Sequence, residues 1–170
     1  MNVLGAASLG GNYAAGAAIL GGLVGGLAFL VVVYMGLATG MTRMNFLTIL
    51  GSMMAPKAPR GTAYTIGVVI HMMLSAVFGL IHAAILTALH VASVGSAAAW
   101  DGLLGAVHGV GALIVMPMML AMAHPRIRTG DLERPGVLMT GFGTITPLGS
   151  LVAHIAFGVV TGSVYAAIVL

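Results

Sequence analysis

The chain has 170 residues, of which 60% are hydrophobic and 5% charged, with a formal net charge of +3 and no cysteine. Its mean hydropathy of +1.14 leaves too little polar surface to cover a water-soluble globule, so the composition points to an integral membrane protein. Without cysteine there can be no disulfide, thiolate zinc site, cysteine-ligated iron–sulfur cluster or covalently attached c-type haem, although histidine-ligated cofactors stay open.

Four nearly uncharged stretches follow one another, at 13–41, 62–90, 97–123 and 144–170, and each exceeds the roughly 20 residues that cross a hydrocarbon core. They predict an all-α integral-membrane four-helix bundle, a single transmembrane domain covering 1–170. No Lys or Arg precedes Arg43, so the first span lacks the basic start of a cleaved signal peptide and is expected to remain as an anchor. Within it, Gly22 and Gly26 have the small-xxx-small spacing that lets helix backbones approach closely, and Gly158 and Gly162 repeat that spacing in the fourth span. The segment "FLTILGSMMAP" after the first span and "MTGFGTITP" before the fourth are apolar but too short to cross, which predicts interfacial or re-entrant structure. Trp100 and Asp101 are expected at the outer interface, Trp100 in the aromatic belt and Asp101 near a helix N-terminus. Pro117 should kink the third span, Pro125 should end it, and Pro147 suits the first turn of the fourth.

All six basic residues, Arg43, Lys57, Arg60, Arg126, Arg128 and Arg134, lie in or beside the two connections at 42–61 and 124–143. The positive-inside rule therefore predicts a protein of the cell's inner (cytoplasmic) membrane with both connections cytoplasmic and both termini outside. Contact with anionic lipid headgroups accounts for so few charges, and nucleic acid is not an expected partner.

A shift of 83 residues (154 − 71) aligns the first span with the third and the second with the fourth, without a gap. It places Gly22 on Gly105, Gly26 on Gly109, His71 on His154, Gly79 on Gly162, and His82-Ala-Ala-Ile on Tyr165-Ala-Ala-Ile. This predicts a 2+2 internal duplication with parallel repeats, about 13–90 and 96–170, related by an axis along the membrane normal.

Counted at about 1.5 Å per residue, His71, His108 and His154 all sit near mid-membrane. His71, Ser75, Phe78 and His82 share one helix face, as do His154, Gly158, Thr161 and Tyr165, and both faces should point at protein because an imidazole in lipid has no partner. Several roles are open to these histidines. They can join helices by hydrogen bonds. His71 and His154 can ligate a b-type haem, which needs two neutral imidazoles at one depth. The polar stripe can carry protons or a small substrate. A metal such as copper can be held by thioether and imidazole ligands at His71-Met72-Met73 or at "MPMMLAMAH", with His108 a further possible ligand, although Met116, Met118, Met119 and Met122 do not share one helix face. His82, His90 and His124 lie nearer the interfaces and are weaker candidates. Catalytic constellations are missing: there is no carboxylate pair, Ser-His-Asp arrangement, phosphate loop or HExxH.

The pattern His154-x3-Gly158-x3-Gly162-x2-Tyr165, preceded by a Gly-rich helix and a loop, resembles small four-helix prokaryotic membrane proteins of the YagU type. The resemblance implies a four-span α-helical protein and carries no catalytic or binding residue with it. With so little polar chemistry and so much Gly and Ala helix surface, the sequence favours a non-catalytic accessory or assembly subunit of a larger integral-membrane complex, a redox complex among the options. Its expected partners are other membrane subunits or further copies of itself, together with lipid. A haem-binding electron carrier and a small transporter or proton conductor are the alternatives.

Overall fold

The computed structural model describes residue 9 and residues 13–170; the remaining N-terminal positions of the expected single domain lie outside the described residues. Six helices follow in order: α1 (Ala15–Ala38), α2 (Phe46–Met54), α3 (Arg60–Ala88), α4 (Val94–Ala123), α5 (Pro125–Arg128) and α6 (Thr146–Val169), with a tight 3-10 segment at Val137–Phe142 before the last. No strand occurs among the described residues. Helices α1, α3, α4 and α6 are long and apolar enough to cross a membrane, at 24 to 30 residues each, so the chain is a multi-pass membrane protein.

Local chemistry sets the ends of these helices. After Thr39, Gly40 turns with φ +73° and lets the next amide reach back to the Gly36 carbonyl at 2.9 Å, which closes α1. Asn45 starts α2 by accepting the Thr48 amide at 3.1 Å, and Ser93 starts α4 by accepting the Ser96 amide at 3.1 Å. The proline expectations hold at two termini: α4 ends at Ala123 with Pro125 opening α5, and Pro147 lies in the first turn of α6. Pro117 is accommodated inside α4, which runs unbroken past it to Ala123.

Helix α6 packs along both α1 and α4, and α1 packs along α3, whereas α3 and α4 scarcely touch. The four spans therefore stand in the order α3, α1, α6, α4, with a gap where the row would close. Small residues make the tight seams. A Cβ on Gly22 would collide with the Ser75 carbonyl of α3, and one on Gly158 or Gly105 would collide across the α4–α6 seam. Gly21 and Gly25 do the same for α1 against Thr161, Tyr165 and Phe157 of α6.

The two short apolar segments cover one end of the bundle. Helix α2 lies close across α3, with Gly51 against the Ala63 carbonyl and Gly67 against Leu47. His124 at the end of α4 holds α2 by donating from Nε2 to the Ile49 carbonyl at 3.0 Å, and it is fully buried although the sequence places it near an interface. The 137–142 segment bends through Leu138 and Met139 at positive φ and tucks Met139 and Phe142 against Met44, Ile49, Leu113 and Leu120. Arg43 ties the two connections together, its backbone amide reaching the Phe142 carbonyl at 2.7 Å and its Nη2 donating to the Gly141 carbonyl at 2.8 Å. Both segments thus form short helical caps folded back onto the spans.

Candidate intramembrane cavity and histidine cluster

Below these caps, where α3 and α4 diverge, the bundle encloses a cavity of about 490 Å³. Its walls come from all four spans, and nearly all of its lining is apolar, with Val33, Leu113, Met116 and Met119 among the side chains. Leu74 of α3 and Val115 of α4 sit on its rim, 44% and 60% exposed, so the opening between these helices faces the region where lipid would lie. Polar groups gather at one part of the wall. His71 and Ser75 of α3, His108 of α4, and His154 and Ser150 of α6 all line the cavity, together with Phe29, Phe78 and Phe157.

Each imidazole has a defined setting. His71 donates from Nε2 to the Gly26 carbonyl at 3.0 Å, an approach that exists because residue 26 is glycine. Ser75 donates to the His71 carbonyl at 2.8 Å, and the His71 ring packs on Phe29 and Phe46. His154 donates from Nδ1 to the Ser150 carbonyl one turn earlier at 2.7 Å, and its ring meets Phe29 edge-on at 4.9 Å. The two histidines that the sequence pairs for haem ligation are therefore joined through Phe29, the ring against which both pack. His108 lies on Phe78 at 4.1 Å and beside His154 at 4.9 Å between centroids, and its buried Nδ1 has no hydrogen-bond partner among the described residues.

The strongest polar contact was not legible in the sequence. His82 Nδ1 and Asp101 Oδ1 are 2.5 Å apart, joining α3 to α4 in the protein interior. Asp101 is wholly buried and His82 is 4% exposed. Asp101 therefore lies further along its helix than the expected place near the N-terminus, and its partner is His82, a weaker candidate by sequence alone. The span begins at Val94 rather than 97, so Asp101 lies two turns inside the helix, against Gly162 of α6. A lone acid inside an apolar span usually has a partner, and that was the signal available. Rings then continue from the pair into the cavity wall: His82 is 5.7 Å from His108, which is 4.9 Å from His154.

Among the described residues no three His, Cys, Asp or Glu side chains converge as a metal-binding group. The methionines divide between environments: Met116 and Met119 line the cavity, whereas Met118 and Met122 are exposed on the outer face of α4. Of the packing glycines named from sequence, Gly22, Gly26, Gly158 and Gly162 all lie at close helix contacts, Gly26 against His71 and Ser75, and Gly162 against Asp101 and Ala97.

Comparison with family models, curated proteins and solved structures found no match to this chain.

Proposed function

We propose that this protein is a non-catalytic accessory subunit of a larger integral-membrane complex, and that its part is to hold a small, mainly apolar molecule within the bilayer. The observation that carries the reading is the cavity of about 490 Å³, a volume within the usual range for small-molecule sites, with a few polar groups set in apolar walls. Its rim is apolar at Leu74 and Val115, which favours entry from lipid over entry from water. The polar groups it offers are histidines, serines and threonines, with no nucleophile activated by a base and no carboxylate in the lining, which favours binding over catalysis. Charge placement supports a cytoplasmic-membrane location with 42–61 and 124–143 inside. His71 lies beside Gly26 and His154 beside Gly109, two pairs related by the 83-residue shift, which favours descent by duplication.

Purification from native membranes in a mild detergent tests the reading. The chain should migrate with larger membrane subunits, and organic extraction of the washed complex should release a small molecule in near-stoichiometric amount. A monodisperse chain that travels alone and yields only bulk lipid would sink it. Because the chain has no cysteine, single cysteines placed at Lys57 and at Ala92 give a clean check of orientation, with only the Ala92 site expected to react with an impermeant maleimide from outside.

A second reading has its own observation. His154, His108 and His82 stand in a row of adjacent rings, 4.9 and 5.7 Å between centroids, that ends in the hydrogen bond from His82 to Asp101. Such a series favours proton movement. Protein in liposomes should then pass protons down an imposed gradient and lose that flux in Asp101→Asn; flux equal to that of empty liposomes would count against it.

A further inference from the structure

We propose that the cavity selects a molecule carrying a hydroxyl on an aromatic ring, a phenol or hydroquinone, which donates its O–H to His154 or His71. The inference rests on the reading of the cavity as a ligand site and specifies the ligand's chemistry.

Two carbonyl oxygens set where the ring hydrogens lie. A carbonyl can only accept a hydrogen bond, so whichever ring nitrogen faces it must carry the hydrogen. His154 Nδ1 lies 2.7 Å from the Ser150 carbonyl, so Nδ1 bears the hydrogen and a neutral ring keeps its lone pair on Nε2. His71 Nε2 lies 3.0 Å from the Gly26 carbonyl, so in that ring the lone pair is on Nδ1. No protein donor reaches His154 Nε2 or His71 Nδ1 among the described residues, and both residues line the cavity. The backbone has thus fixed two neighbouring imidazoles as acceptors turned over to whatever enters.

An acceptor in an apolar enclosure is costly unless a donor meets it, so the site discriminates by what a ligand donates. Acyl chains donate nothing. Ethers, ketones and esters bring only further acceptors, which at His71 Nδ1 and His154 Nε2 would set lone pair against lone pair. An ammonium ligand would need a counter-charge, and the nearby carboxylate, Asp101, is already committed to His82 at 2.5 Å. A neutral hydroxyl remains as the matching group. The walls decide what should bear it. Phe29 packs against both His71 and His154, and Phe78 and Phe157, beside His108, add aromatic surface to the same lining, which favours a flat ring over a flexible alcohol through offset and edge-on packing. Entry between Leu74 and Val115 favours a compound that partitions into lipid.

The test uses the full-length protein in lipid nanodiscs and a pair of probes that differ by one O-methylation, 4-hexylphenol and 4-hexylanisole, with 1-decanol as the aliphatic control, measured by titration calorimetry against empty nanodiscs. The phenol should bind about tenfold or more tighter than the ether, as expected when a buried acceptor is left unmet, and tighter than decanol. That ratio should fall toward one in the His71→Phe, His154→Phe double variant. Should the double variant lose its helical circular dichroism, the ratio on the native protein still decides, and His154→Gln, which retains an acceptor, should preserve part of it. Equal affinity for phenol and ether overturns the inference while leaving the cavity a ligand site. No binding of any probe by folded protein overturns both. Decanol matching the phenol overturns the aromatic selection, and a haem absorption band in the freshly purified protein that is lost in His154→Ala overturns the inference in favour of iron ligation.

Discussion

Two seams of the bundle behave in opposite ways. Between α1 and α6, Gly21 and Gly25 lie against Thr161, Tyr165 and Phe157 so closely that the backbones are in contact. Between α3 and α4 the helices scarcely meet, and contact depends on long polar and aromatic side chains: His82 to Asp101, and Phe78 to His108. The sequence shift of 83 residues places His108 where the first seam has Gly25. One glycine permits a dry, close seam; one imidazole holds the other apart, and the cavity occupies the space so created. In lipid, where burial of apolar surface contributes little to helix association, the smallest residue at a contact determines how near two backbones come.

The largest effect is expected from giving the first seam the residue of the second. Gly25→His should prevent the α1–α6 approach, because even a Cβ there meets the Phe157 carbonyl at 2.8 Å. Overpacking of this kind should cost roughly 3 kcal/mol or more, read as loss of monodisperse protein and of the unfolding transition in detergent. The next effect tests what holds the open seam together. Asp101→Ala leaves His82 unpartnered in the interior and should cost about 3–5 kcal/mol, the usual penalty for breaking a buried pair. Asp101→Asn, which retains a hydrogen-bonding partner, should cost visibly less in the same denaturant titration. If the two variants unfolded alike, the pair would not be what ties α3 to α4.

Smaller changes sharpen the contrast. His108→Gly removes the stacking on Phe78 and adds a helical glycine, an expected loss of about 2 kcal/mol. It should also enlarge the cavity, raising the affinity for a bulkier apolar probe relative to a smaller one. The least effect is expected away from both seams, at Arg43, whose ion pair with Glu133 is exposed at both ends. Glu133→Ala should change stability by less than about 1 kcal/mol, measurable as a near-coincident melting curve.

The sequence by itself determined the number, order and approximate bounds of the spans, because about 20 consecutive apolar residues satisfy a bilayer whatever they pack against. It also determined the close helix contacts at Gly22, Gly26, Gly158 and Gly162, since small residues four apart offer a flat helix face, and it drew attention to His71, His108 and His154 because an imidazole at that depth needs protein around it. Tertiary structure decided the rest. Which helices are neighbours, that the row stays open between α3 and α4, and that His82 meets Asp101 depend on side chains 19 residues apart across a turn, and periodicity along one helix carries no information about the angle to the next. The hydrogen-bonding role of each imidazole was equally hidden. It follows from which nitrogen faces a backbone carbonyl, Gly26 for His71 and Ser150 for His154, and a carbonyl acquires that position only once the helices have packed.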